Sequence, residues 1–250
     1  MDETTLAAYL DRIGVSRPRV LDEAALGDLH RAHLMAVPFE NLSIHLAEPI
    51  SLAEDGLIDK IVTRRRGGFC YELNGAFAAL LRALGFDVTM LSARVPRADG
   101  TTSPEFDHMT LLVRIGGERW LADVGFGECF LHPLRLDERG EQHDPAGTFR
   151  IEQRDDRDWL LSSSSQPQYL FSLEPHTLAD YAGICHYHQT SPQSSFTQKR
   201  VCTLATSTGR ITLRDDRLIV TENGAKHEEP IEDNAAWRAV LRARFGVEVP

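Results

Sequence analysis

The spacing of apolar residues predicts that the first third of the chain is helical. In the segment TTLAAYLDRI, apolar residues recur at helical spacing: Leu6, Tyr9, Leu10 and Ile13. A second helix is predicted to begin at Asp22 and to end before Pro38, and a third covers GLIDKIVTRR. A fourth helix, CYELNGAFAALLRALG, carries one continuous apolar stripe and is expected to end at Gly85.

The pattern changes at Phe86 from helical spacing to short segments typical of strands: FDVTMLSARV, HMTLLVRI, RWLADV, TFRIEQR, DWLLSS and YLFSL. LADYAGICHYH is predicted as a brief helix. Three more strand segments follow, VCTLAT, RITLR and RLIVTEN, and then a final helix capped by Asp233. Because helices and strands are segregated along the chain, we predict an α+β fold rather than an alternating α/β fold. The expected domains are residues 1–85, 86–195 and 196–250.

The segment HMTLLVRIGGERWLADVGFG is predicted to form a β-hairpin with a two-residue Gly-Gly turn at positions 116–117. In this register Ile115 pairs with Glu118, and apolar residues collect on one face of both strands. The opposite face carries His108 and Asp123 as diagonal neighbours, about 7–8 Å apart between backbones and within side-chain reach. A histidine held by a carboxylate can accept a proton from a thiol.

Cys70 follows two glycines in RRRGGFCYELN and lies at the predicted start of the fourth helix. A helix N-terminus lowers the pKa of a cysteine, and the thiolate is the nucleophilic form. Gly67 and Gly68 allow a tight turn and the close approach of a substrate, and backbone N–H groups there can stabilise an oxyanion. With His108 and Asp123, these features favour a Cys70–His108–Asp123 triad. The simpler alternative is a buried core cysteine beside an unrelated histidine and aspartate.

Composition narrows the functional classes. A net charge of −10 argues against a nucleic-acid partner. The N-terminal segment MDETTLAAYLDRIG is acidic and amphipathic, and no apolar run approaches the length of a membrane span, so neither a secretory signal nor a membrane partner is expected. The cysteines are irregularly spaced, which predicts a cytoplasmic protein with reduced thiols: Cys70, Cys129, Cys185 and Cys202.

Three motifs together resemble the arylamine N-acetyltransferase family, of the bacterial, N-hydroxyarylamine O-acetyltransferase-like type. They are RRGGFCYELN, the histidine that opens HMTLLV, and WLADVGFG. PFENL at Pro38–Leu42 and the later SPQSSFTQKR are similar to further segments of that family. The resemblance implies an N-terminal helical bundle, a central antiparallel β-barrel-like domain and a C-terminal α/β lid, with a triad arranged as in cysteine proteases.

The resemblance also implies the reaction. The family transfers an acetyl group from acetyl-CoA to arylamines, arylhydrazines or N-hydroxyarylamines by a ping-pong mechanism through an acetyl-cysteine. Cys70 would be the nucleophile, with His108 and Asp123 as its partners. Acetyl-CoA is then a co-substrate, no metal is expected, and the protein would act as a monomer or homodimer on small molecules.

Pocket residues follow from the same resemblance and from the aromatic residues near the motifs. The arylamine site is expected to be lined by Phe39, Phe69, Val95, Phe126 and Phe196. The turn near CoA would contain Gly125 and Gly127, with Thr110 as a neighbour. Arg65 and Glu40 are expected to form a structural ion pair behind the site.

Alternatives remain on the same residues. One is a transglutaminase-like Cys-His-Asp hydrolase; a papain-like protease is disfavoured because its histidine follows the cysteine by about 130–150 residues. Another is an amide synthase that uses this scaffold to close a macrolactam. A metal protein using the pairs Cys185–His188 and Cys129–His132 is disfavoured, since their spacing forms no zinc pattern. A pure binding module would follow if Cys70 were unreactive.

Overall fold

A computed structural model of the chain describes residues 1–249 and has an α+β fold. Its helices are α1 (Glu3–Ile13), α2 (Glu23–Ala36), α3 (Leu42–His45), α4 (Glu54–Ile58), α5 (Cys70–Leu84), α6 (Ala182–Thr190), α7 (Ser195–Gln198) and α8 (Asn234–Phe245). A π-helical turn, Asp59–Thr63, continues α4, and a 3₁₀ turn, Leu178–Tyr181, leads into α6.

The strands form two antiparallel sheets. They are β1 (Phe39–Glu40), β2 (Asp87–Arg94), β3 (His108–Ile115), β4 (Glu118–Ala122), β5 (Leu134–Arg135), β6 (Gln142–Asp144), β7 (Gly147–Gln153), β8 (Asp158–Ser163), β9 (Gln166–Ser172), β10 (Val201–Thr206), β11 (Gly209–Arg214), β12 (Arg217–Glu222) and β13 (Ala225–Pro230). The larger sheet has the order β5-β4-β3-β2-β9-β8-β7-β6, and the smaller has the order β1-β10-β11-β12-β13.

The helix boundaries agree with the caps predicted from sequence. Asp22 and Asp233 each accept a backbone N–H of the helix that they precede, at 2.9 and 2.8 Å. Helix α2 ends at Ala36, two residues before Pro38. Gly85 ends α5 in the left-handed conformation, with φ +108°. Local sequence therefore determines where the helix that begins with Cys70 ends.

The predicted hairpin register is confirmed. Ile115 lies opposite Glu118, Leu111 lies opposite Ala122, and the glycines at 116–117 have φ values of 58° and 92°. Strand β4 ends at Ala122, so Asp123 lies just beyond the ladder. Its carboxylate is therefore carried by the turn after the strand, and from there it reaches His108, the first residue of β3.

The eight-stranded sheet curls around its own core, which confirms the barrel-like domain. One face of β2, β3 and β4 packs against α5, and the other face shares a second core with β7, β8 and β9: Leu91, Leu112, Leu121, Ile151, Leu161 and Tyr169. The edge strands β5 and β6 are joined by the Gln142 amide, which bonds both the N–H and the carbonyl of Arg135, at 2.8 and 2.9 Å. The sheet is thus nearly closed.

The C-terminal sheet is tied back to the N-terminal region. Strand β1 pairs with β10, so that Glu40 lies opposite Cys202. Helix α8 packs on this sheet through Trp237, Leu241 and Phe245. Strand β13 was not predicted, because all of its residues are exposed and its sequence, AKHEEP, lacks alternation. The domain boundaries near residues 86 and 195 stay a prediction. Within residues 1–249, no helix has both the length and the apolar character needed to cross a bilayer.

Candidate active site

Cys70 is the first residue of α5 and is 4% exposed. A buried ion pair fixes the start of this helix: Glu72 accepts the backbone N–H of Phe69 at 3.2 Å and pairs with Lys60 Nζ at 2.6 Å. The capping carboxylate is therefore neutralised as well as hydrogen-bonded, which is what a charge needs when it is removed from water. The Glu72–Lys60 pair therefore fixes the backbone directly before Cys70.

Gly67 and Gly68 are required by the protein's own packing. A Cβ on Gly67 would stand 1.9 Å from the carbonyl oxygen of Pro38, and one on Gly68 would stand 2.6 Å from Cβ of Glu72. The Gly68 carbonyl also accepts the N–H of Glu40 at 2.8 Å. Neighbouring chain segments therefore explain why both positions are glycines, and neither glycine lines the cavity that contains Cys70.

The ion pair behind the site involves Arg66 and not Arg65. Arg66 Nη2 lies 2.9 Å from Oε1 of Glu40, and both side chains are buried. Arg65 has a left-handed backbone, with φ +51°, and is exposed, so the turn directs the next arginine inward. Burial would raise the pKa of Glu40, but Lys60 and Arg66 outweigh burial and lower it.

His108 and Asp123 form a short, buried pair, as the hairpin register predicted. Nε2 of His108 lies 2.6 Å from Oδ2 of Asp123, and the two residues are 3% and 0% exposed. Oδ1 of Asp123 accepts Asn74 Nδ2 at 3.0 Å and the N–H of Gly125 at 2.9 Å. Burial would raise the pKa of Asp123, but His108 and these donors lower it below its usual value. Since Nε2 is engaged, Nδ1 is the nitrogen left to exchange a proton.

Asn74 is a site residue that was not predicted. It lies one turn after Cys70 on α5, donates to the Met109 carbonyl at 2.6 Å, and accepts the N–H of Val124 at 2.9 Å. With its bond to Asp123, it joins α5 to both strands of the hairpin at the open end. The available signal was its i+4 spacing from Cys70, which puts both residues on one helix face.

His30 also supports the His108–Asp123 pair, and the sequence does not predict this contact. Its Nε2 accepts the backbone N–H of Asp123 at 3.0 Å, while Nδ1 donates to the Leu131 carbonyl at 2.9 Å. Burial lowers the pKa of His30 to about 4, so the ring is neutral at pH 7. Nothing local in the sequence around His30 indicates this role, because its partners lie about a hundred residues away.

The pKa of the Cys70 thiol is raised, whereas its position at a helix start predicts a lowered one. Burial raises the pKa of the Cys70 thiol well above its usual value, and the carboxylates of Asp107 and Asp123 raise it further. The N–H of Met109 acts in the opposite direction and lowers it. A helix start therefore does not by itself ionise Cys70, and ionisation requires a base that takes the proton.

One cavity of about 360 Å³ contains the thiol and the imidazole. Of the predicted site residues, the structure brings these to its wall: Cys70, His108, Phe39, Val95, Gly125, Phe126 and Phe196. The ring of Phe126 stands edge-on to His108, with centroids 5.0 Å apart. Gly125 must be a glycine, because a Cβ there would lie 2.8 Å from Cα of Cys70.

Four predicted residues are not part of this wall: Asp123, which is buried behind His108, and Phe69, Thr110 and Gly127. Phe69 is fully buried and packs edge-on against Phe196, with centroids 5.6 Å apart. Thr110 is fully buried in the sheet, where its hydroxyl donates to the Ala122 carbonyl at 3.2 Å. Gly127 occupies the turn after β4 with φ +89°, facing the ring of Phe39. The remaining lining residues were not predicted as part of the pocket: Arg97, Asp107, Tyr187, His188, Gln193, Ser194 and Ser195.

The cysteine–histidine pairs considered as metal ligands are not assembled into a site. His132 bonds Asp144 at 2.9 Å near the surface, whereas Cys129 is buried in the barrel core. Cys185 accepts the side-chain amide of Gln189 at 3.3 Å. In the described part of the chain, no group of three or more potential metal ligands is found, and all four cysteines are free.

Comparison with known proteins identifies the family. A family model described as N-acetyltransferase matches residues 22–250. Arylamine N-acetyltransferase of Escherichia coli K12 is 35% identical over 248 residues, covering 96% of this chain and 88% of the relative. The Mycolicibacterium smegmatis enzyme is 35% identical over 257 residues, covering 98% and 92%. The solved Salmonella typhimurium structure superposes with a TM-score of 0.93 at 32% identity, covering 100% and 93%. The chain therefore belongs to the arylamine N-acetyltransferase family, which is a family of transferases.

Proposed function

We propose that the protein transfers an acetyl group from acetyl-CoA to arylamines, arylhydrazines or N-hydroxyarylamines, with Cys70, His108 and Asp123 as the catalytic triad. The observation that carries this proposal is the sharing of one cavity by Cys70 and a His108 held by Asp123. The Salmonella relative is named an arylamine N-acetyltransferase and N-hydroxyarylamine O-acetyltransferase, which supports these substrate classes.

In the first half-reaction, Nδ1 of His108 takes the proton of the Cys70 thiol. The thiolate attacks the carbonyl carbon of the acetyl thioester, and the bond from that carbon to the CoA sulfur breaks. The leaving sulfur takes the proton back from His108, so CoA departs as the thiol and Cys70 carries the acetyl group. Backbone N–H groups in the first turn of α5, which lack partners within the helix, would stabilise the oxyanion.

In the second half-reaction, the amine nitrogen attacks the acetyl carbon while Nδ1 of His108 takes one of its protons. The bond to Cys70 breaks, and the thiolate regains the proton from His108. Phe39, Phe126 and Phe196 would hold the aromatic ring of the acceptor, since aromatic pairs favour edge-on and offset contacts. We propose that CoA borders the turn at Gly125 and Gly127. Both substrates would use one cavity in succession, which requires ping-pong kinetics.

Isotope exchange tests this mechanism without any acceptor. The wild-type protein is expected to transfer label from CoA into acetyl-CoA, because the acetyl-enzyme forms reversibly. Cys70→Ala should abolish the exchange. Cys185→Ala, which removes a buried thiol that does not line the cavity, should retain it. Absence of exchange in the wild type, with intersecting rather than parallel double-reciprocal lines when acetyl-CoA and aniline are varied, would overturn the proposal.

A further inference from the structure

A second histidine–aspartate pair lines the cavity, and the proposed mechanism does not use it. His188 of α6 is 6% exposed, and its Nδ1 lies 3.0 Å from Oγ of Ser194. Its Nε2 lies 3.2 Å from Oδ1 of Asp107. Asp107 directly precedes His108 in the chain, and its carboxylate remains partly exposed toward the cavity.

This pair retains unused hydrogen-bonding capacity. Although Nε2 lies within ion-pair distance of Asp107, it has no well-aligned hydrogen-bond partner among residues 1–249. Burial would raise the pKa of Asp107, but His188 outweighs burial and lowers it, so the carboxylate is ionised at neutral pH. A buried nitrogen without a well-aligned hydrogen bond is costly, and a ligand group that bonds to this pair would offset that cost.

The packing around His188 fixes where this polar pair lies. Its ring stands edge-on to Phe196, with centroids 5.0 Å apart, and stacks on Tyr71 with centroids 6.3 Å apart. Phe196 is one of the rings proposed to hold the acceptor. A polar substituent on an aromatic acceptor seated beside Phe196 would therefore be close to the His188–Asp107 pair.

We propose that Asp107 and His188 form a polar subsite that binds a hydrogen-bond donor on the acceptor, separate from the amine that becomes acetylated. The carboxylate can only accept hydrogen bonds, so the ligand must offer at least one donor, such as a ring hydroxyl or a second amino group. Ser194 positions the imidazole through Nδ1. This inference rests on the proposed function and adds acceptor selectivity to it.

Matched acceptors provide the test. 4-Aminophenol and 4-methoxyaniline differ by a methyl group that removes the donor, and the 3-substituted pair does the same at another ring position. In a ping-pong reaction, kcat/KM for the acceptor reports only on the second half-reaction, so changes in the acetylation of Cys70 cancel. The wild type should favour the phenol by about tenfold or more in at least one pair, as expected for a hydrogen bond to a charged group.

Two variants and one control define the outcome. His188→Phe and Asp107→Asn should each bring the phenol-to-ether ratio within about twofold of unity, because one removes the ring nitrogens and the other the charge. His186→Phe, which changes an exposed histidine on the same helix, should keep the wild-type ratio. A wild-type ratio near unity in both pairs, or a ratio unchanged in both variants, would overturn the subsite while leaving acetyl transfer intact. Loss of CoA exchange in the wild type would instead remove the proposed function, and the subsite with it.

Discussion

The two histidine–aspartate pairs in the cavity differ in how completely their hydrogen bonds are satisfied. In the His108–Asp123 pair, the atoms lie 2.6 Å apart and both carboxylate oxygens have donors. In the His188–Asp107 pair, the distance is 3.2 Å, and Nε2 has no aligned partner in the described chain. We expect the pair with complete hydrogen bonds to serve the chemistry and the pair with free hydrogen-bonding capacity to bind a ligand group.

The difference arises from the elements that carry each pair. His108 and Asp123 lie at one end of a hairpin that packs on α5, and Asn74 ties both strands to that helix. Asp107 precedes the first residue of β3, and His188 comes from a short helix about eighty residues later. A rigid sheet against a helix holds atoms more precisely than a loop facing a short helix does.

The strongest test of the role proposed for the His108–Asp123 pair is Asp123→Asn. The amide either donates to Nε2 of His108, which fixes the wrong imidazole tautomer, or accepts from it without a negative charge. In both cases kcat for acetyl transfer should fall by about 10⁴-fold. Steady-state assays with aniline and acetyl-CoA measure this change, and thermal unfolding checks that the variant is folded. Asp137→Asn, which removes a carboxylate paired with Arg119 at the surface, should retain wild-type kcat. A loss smaller than tenfold in Asp123→Asn would contradict the assigned role.

The pH dependence of stability tests whether His30, which accepts the backbone N–H of Asp123, stays neutral in the folded protein. Because the pKa of buried His30 is lowered to about 4, the unfolded chain binds a proton between pH 6.5 and 4 that the folded chain does not. Stability is therefore lost as pH falls through this window, by about 3 kcal/mol from His30. His33, whose pKa burial also lowers, adds to the slope.

Urea unfolding at several pH values measures this slope. His30→Gln keeps an acceptor for the N–H of Asp123 but does not titrate, so stability should fall less steeply on acidification than in the wild type. His227→Gln, on the exposed strand β13, serves as the control and should keep the wild-type slope. Equal slopes in the wild type and His30→Gln would show that His30 does not remain neutral in the folded protein.

A smaller loss of stability is expected from adding a side-chain atom at Gly125, where the turn after β4 touches α5. In Gly125→Ala, the new Cβ would lie 2.7 Å from Nδ2 of Asn74, so the turn must move. Such overpacking costs about 1–3 kcal/mol, measured as the free energy of unfolding. Gly183→Ala in α6 meets nothing within 4 Å and replaces a helical glycine, so it should be neutral or stabilising by up to about 1 kcal/mol. Equal effects of the two substitutions would contradict the close contact.

Much of the geometry of the His108–Asp123 pair was predictable because it is set within one hairpin. The Gly-Gly turn and the two-residue period of the strands together determine the face that carries His108. The supports from Asn74 and His30 depend on how α5 and α2 dock on the hairpin, which no local pattern encodes. The one-residue error at Arg65 has the same character, because a single left-handed residue decides which arginine points inward.

The part of the cavity wall around His188 was the least predictable part of the site. In the sequence, His188 stands out only by its spacing from Cys185, and such a pair suggests metal binding rather than a place in the cavity wall. Its partner Asp107 is brought near it by tertiary packing, and Ser194 positions it from a loop that precedes α7. Sequence periodicity describes how residues share a face of one element, so it carries no information on contacts between distant irregular segments.

The most direct measurement is the intact mass of the purified protein after incubation with acetyl-CoA and no acceptor. We expect one acetyl group on the wild type, located on the peptide that contains Cys70, and none on Cys70→Ala. An adduct that persists in Cys70→Ala would contradict this expectation, as would a wild type that gains no acetyl group although iodoacetamide still labels Cys70. The second result would mean that the thiol is reactive but that acetyl-CoA is not its donor.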